Sequence, residues 1–118
     1  MEAQQPAQSQ SARISTAAVQ LLREYTGRGP TKAKTTIGED SVLVMLADTL
    51  TQAERALVEY GNPELVLQTR HEFQNAMRQD LKGVVERETG RKVVAFMSEI
   101  HIDPDLAAEI FALEPVSA

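Results

Sequence analysis

The stretch Ser41-Val-Leu-Val-Met-Leu-Ala47 constrains this chain more than any other. Val42, Val44 and Leu46 fall on one side of an extended backbone and Leu43 and Met45 on the other, so both sides are apolar. The run is far too short for a membrane span of roughly 20 residues, and a short apolar run bounded by turn residues reads as a strand. It should be a central strand, covered on both faces of its sheet. A partner lies just upstream. In Thr31 to Ile37, Ala33, Thr35 and Ile37 share one face and Lys32, Lys34 and Thr36 the other. Gly38, Glu39 and Asp40 supply the turn of a hairpin.

Helical periods flank this hairpin. From Ser11, the residues Ile14, Ala17, Ala18, Leu21, Leu22 and Tyr25 recur as one stripe, Gly27 fits a left-handed C-cap, and Pro30 stops the helix from resuming. Thr51-Gln-Ala-Glu54 is a capping box that opens a short helix ending at Gly61, with Ala53, Ala56, Leu57 and Tyr60 expected inward. Asn62-Pro63 pairs an N-cap residue with proline at the first helical position and opens a long helix to about Glu88, closed by Gly90. Its inner stripe is predicted as Val66, Thr69, Phe73, Ala76, Met77, Leu81 and Val84. Its outer face is predicted to carry Glu64, Arg70, Glu72, Arg78, Lys82, Glu86 and Arg87, with close-spaced ion pairs such as Lys82 with Glu86. Lys92 to Ile102 reads as another apolar strand, Asp103-Pro104-Asp105 as a turn, and Leu106 to Leu113 as a fourth strand or an irregular edge.

The order is helix, hairpin, two helices, hairpin. It implies an α+β fold: two β-hairpins form an antiparallel sheet, with three helices packed on one face. The order of the strands does not follow from these signals. Residues 1–10, rich in Gln, Ala and Ser, read as a disordered tail, residues 11–114 as one domain, and 115–118 as a C-terminal tail.

The composition excludes several function classes. Twelve basic against seventeen acidic residues give a net charge of −5, wrong for neutralising nucleic-acid phosphates, and aromatics at 4% make no stacking platform for bases. With no cysteine there is no thiolate chemistry and no Cys-based zinc site. No apolar run suits a membrane span, and the N-terminal residues lack the charged head and apolar middle of a signal peptide, so a cytoplasmic protein is expected.

The chemistry-bearing candidates are few. Gly27-Arg-Gly-Pro30 looks like a phosphate loop, but a strand follows it instead of a helix, and the P-loop spacing is missing. A helix stop beside a turn explains it better. What remains is a basic cluster, Arg28, Lys32 and Lys34, which could bind an acidic partner segment or an anion, or form a solvated strand face that guards an edge. His101, Asp103 and Asp105 alternate, yet Pro104 breaks the period, and a metal site would need further ligands. His71 reads as a boundary residue of the long helix. Ser98 and Glu99 follow a buried strand, without the partners that would make a triad legible. The residues thus point to no catalytic set, no metal and no cofactor.

Three segments together resemble a known family. Tyr25-Thr-Gly-Arg-Gly-Pro30, Leu50-Thr51 with Ala53-Glu54, and the Thr89-Gly90 helix end before a strand are similar to the MpsC-like family, over about residues 12–113. That family was first catalogued as a domain of unknown function and is named for a Na⁺-translocating, membrane-potential-generating system. Asp103-Pro104-Asp105 departs from the polar, glycine-containing turn expected there. The resemblance implies a non-enzymatic accessory or regulatory protein, peripheral to the membrane through an integral membrane transporter subunit. The alternative is a free-standing homodimeric binding or signalling module. A homodimer is expected on either reading, because Val42 to Met45 and Val93 to Met97 want cover on both faces and three helices comfortably cover one. Arg28, Lys32 and Lys34 are the candidate partner-binding residues.

Overall fold

The structure is a computed structural model that describes residues 9–30 and 32–116. Helix α1 (Gln10–Thr26) starts one residue before the expected position, because Ser9 caps it by accepting from the amide of Ala12. Of the predicted N-terminal tail, residues 1–8 lie outside the described residues. Gly27 ends the helix with φ 82°, donating its amide to the carbonyl of Arg23. Strands β1 (Lys32–Ile37) and β2 (Ser41–Ala47) then form the first hairpin. Helix α2 (Gln52–Glu59) carries both halves of the Thr51–Glu54 capping box. Helix α3 (Pro63–Thr89) follows, stopped by Gly90 at φ 69°. Strands β3 (Val93–His101) and β4 (Leu106–Leu113) make the second hairpin.

The sheet is antiparallel throughout, with strand order β1-β2-β4-β3. The two hairpins join through β2 and β4, so β4 is an inner strand, and the edge reading of Leu106 to Leu113 gives way. β3 lies at the margin instead, and its Val94 and Met97 are more than half exposed. The demand for cover on both faces therefore belongs to β2 and β4.

α1 packs over β1 and α3 over β3, side by side, with an ion pair of 2.6 Å between Arg13 and Glu88. Between them and the sheet lies the core, with Ile14, Val42, Val44, Val85 and Phe111 fully enclosed. α2 is not in this layer. It leans on the first half of α3, and of its predicted inward residues Ala53, Ala56 and Tyr60 are exposed while Leu57 is half-buried. The buried stripe of α3 is also rotated: Thr69 and Ala76 face solvent, and Arg70 and Gln74 point inward. The chain measures 21 Å in its thinnest direction, the depth of one helix layer on one sheet. Among the described residues no helix lies against the second sheet face.

Candidate functional site

Two polar or unpartnered regions stand out. The first is a clamp at the loop end of the sheet, where three connections meet. Arg28, in the Gly-Arg-Gly-Pro turn, donates to the carbonyls of Asp48 (2.7 Å) and Leu50 (2.8 Å) and to the Asp48 carboxylate (2.7 Å). Asp48 holds a left-handed φ of 60° and also pairs with Arg55 of α2. Asp105, from the β3–β4 turn, accepts at 3.0 Å from the amide and hydroxyl of Thr49 and from the amide of Leu50. Beneath them Arg70 binds both carboxylate oxygens of Glu54 at 2.7 Å and donates to the carbonyl of Thr49. Three arginines meet three carboxylates, so the clamp is neutral and its hydrogen bonds point inward. It ties the loops together and leaves no charge free to act on a ligand.

Arg28 is thereby set apart from the other two candidate partner-binding residues. Lys32 and Lys34 are exposed on the β1 edge, on the face away from the helices. That open face is the second region. Leu43 and Met45 of β2, Ala108, Ile110 and Ala112 of β4, and Met97 of β3 lie on it, all at least partly exposed. At its far edge, on β3, stand Glu99 and His101.

The remaining candidates do not converge. Ser98 is paired across the ladder with Glu109 on the helix-covered face, whereas Glu99 and His101 lie on the open one. Nδ1 of His101 is 2.8 Å from the carbonyl of Pro104, within its own turn, and Asp105 is turned away into the clamp. His71 is exposed on α3. Lys82 and Glu86 are not joined as expected; Glu86 instead accepts from the amide of Val93 at 2.8 Å. Among the described residues no group of three His, Asp or Glu is placed to hold a metal ion.

Sequence reasoning missed Glu109. It is 3% exposed, sits in the helix-covered layer, and its Oε2 has no hydrogen-bond partner among the described residues. Burial pushes its carboxyl up to about 7, although Ser98 and Gln74 beside it pull the other way. The signal was in the sequence. Glu109 falls in phase with Ala107, Phe111 and Leu113 on the inner face of β4.

Comparison with known proteins agrees with the motifs read above. A curated relative, "Uncharacterized protein YbcI" of Bacillus subtilis (strain 168), is 35% identical over 90 residues, covering 74% of this chain and 71% of that protein. No solved structure matches the chain significantly. Residues 7–115 match the family described as "Na+-translocating membrane potential-generating system (MpsC)", and the chain belongs to that family.

Proposed function

We propose that this protein is a non-enzymatic accessory or regulatory subunit of a cation-translocating membrane system that builds membrane potential, acting in the cytoplasm. Family membership carries the reading. Among the described residues no helix is long and apolar enough to cross a membrane, which favours a part in docking, assembly or regulation over conduction. A net charge of −5 gives no attraction to an anionic leaflet, so attachment is to a protein partner. The neutral clamp and the separation of Ser98 from His101 on opposite sheet faces support a binding role over catalysis.

The test is affinity capture from membranes solubilised in mild detergent, paired with a membrane-potential dye in a deletion strain. Capture of an integral membrane subunit and a lowered potential are expected. Neither result appearing would end this reading and leave a free-standing homodimeric module, which the uncovered sheet face favours. A catalytic activity of the purified chain that vanished in Ser98→Ala or His101→Ala would overturn the non-enzymatic part.

A further inference from the structure

The open sheet face carries its own recognition pattern. Across the ladder, Lys34 pairs with Met45, Met45 with Ala108, and Ala108 with Glu99, so these four lie in one row. The next row on one side runs Lys32, Ala47, Leu106, His101, and on the other Thr36, Leu43, Ile110, Met97. The face is thus basic along β1, apolar over β2 and β4, and bears a carboxylate on β3. We propose that it pairs face to face with the same face of a second copy, about a two-fold axis running parallel to the strands between β2 and β4. Lys34 of each copy then meets Glu99 of the other.

Symmetry and charge select this axis. Rotation about an axis along the strands leaves every row in register and exchanges the two edges, so β1 lies over the partner's β3. The row containing Lys34 necessarily meets the row containing Glu99. An in-plane axis across the strands would instead lay β1 on β1, lysine on lysine, and Glu99 on Glu99. Packed sheets stand about 10 Å apart, a gap that an extended lysine and a glutamate reaching toward each other can close. The usual crossing of about 30° displaces the pair by roughly 4 Å along the strands, less than the ~7 Å between rows on one face. Lys32 meets His101, whose Nδ1 is turned back to Pro104, and this contact adds no selection.

The size also suits a second copy. Four strands at ~4.8 Å spacing and seven residues at ~3.3 Å give a footprint of roughly 440 Å² in projection. That is half or more of the ~800 Å² per partner of a standard interface, before side-chain relief is counted. About half of that footprint, over β2 and β4, is apolar, and apolar patches of a few hundred Å² rimmed by polar residues often mark protein–protein contacts. This pairing stands whether or not the accessory role does.

The chain has no cysteine, so engineered ones report without background. Lys34→Cys protein mixed with Glu99→Cys protein should be joined into a dimer by a short bis-maleimide of about 8 Å reach, which suits the ~10 Å gap between packed sheets better than a direct disulfide, while neither protein alone is joined appreciably. Within one chain the two positions lie three strand spacings apart, ~14 Å, too far to bridge. Sedimentation of the full chain should show a dimer at micromolar concentration. Lys34→Glu or Glu99→Lys alone should weaken it by about tenfold or more, because the axis places the repulsion twice, and the double exchange should restore it. Ile110→Asp should give a monomer with an unchanged circular dichroism spectrum. A monomer at 100 μM on the order of the highest practical loading, cross-linking of Lys34→Cys with itself, or a dimer indifferent to both charge reversals would each overturn the proposal, the last pointing to another surface such as the exposed side of α3.

Discussion

Arg70 on α3 is buried at 2% exposure and grips both carboxylate oxygens of Glu54, the residue that also closes the capping box of α2. One side chain thus caps a helix and docks it. Glu54 is the one residue of α2 that is fully buried, with Leu57 and Val58 half-buried, so this pair is a main anchor of α2 on α3. Breaking a buried pair strands the remaining charge and costs about 3–5 kcal/mol. Arg70→Ala should therefore lower the urea midpoint by that equivalent, and Arg70→Lys should recover only part, since an ammonium cannot make the two-pronged contact. Substitution of Arg78, which is exposed on the same helix and lies 5.5 Å over the Phe96 ring, should cost less than about 1 kcal/mol.

How much was legible divides along a physical line. Helix ends, turns and the alternation in β2 are local signals, and each element appeared close to where they placed it. The positions of α2 and of β4 depend on what lies beside them, which no local signal encodes. Arg70 and Gln74 illustrate the difficulty. A polar residue is ordinarily outside, and only the arrival of Glu54 and the Thr49 carbonyl from other elements makes an inward arginine affordable. Glu109 was different, because its phase with Ala107 and Phe111 already placed it inward. Of the candidate site, the lysines on the open face followed from strand alternation. The loop carbonyls that engage Arg28 did not.

Arg28 binds two loop carbonyls and a carboxylate, and that makes a prediction for the Gly-Arg-Gly-Pro turn. Arg28→Ala should destabilise the fold by about 2–3 kcal/mol, as charged hydrogen bonds to half-buried partners are lost. Lys34→Ala should change monomer stability by less than about 0.5 kcal/mol. Equal effects of the two on thermal unfolding, after correction for any dimerisation, would show that the clamp is not what holds the loops.

Gly27 tests the same turn through its backbone. A Cβ there would meet no atom within 4 Å, so Gly27→Ala carries only the cost of a left-handed φ of 82°, about 1 kcal/mol. At Gly29 the obstacle is contact instead: a Cβ would come within 3.2 Å of the Val19 and Arg23 side chains. Substituting Gly27 by Asn, which tolerates the left-handed region, should cost less than substituting it by Ala, whereas no such ranking is expected at Gly29. Chemical denaturation of the four variants decides it.

Glu109 gives the fold a pH dependence of unusual sign. Its carboxyl lies near 7 in the folded chain against an ordinary value of 4.5, with burial the main cause. Between those values the folded chain keeps a proton that the unfolded chain releases. The stability linked to this group is therefore complete below about pH 4.5 and is lost as pH rises through about 7. At pH 8 the loss amounts to about 3 kcal/mol, from a shift worth about 1.4 kcal/mol per pH unit. Glu109→Gln keeps the shape and the polar neighbours Ser98 and Gln74 but cannot ionise. Its stability advantage over the parent should be near zero at pH 4.5 and grow to about 3 kcal/mol by pH 8. Other carboxylates titrate identically in both proteins and cancel in the difference. Urea unfolding at several pH values across this window measures it, and a difference that stayed constant with pH would mean that the buried carboxylate is as well solvated in the fold as in the unfolded chain.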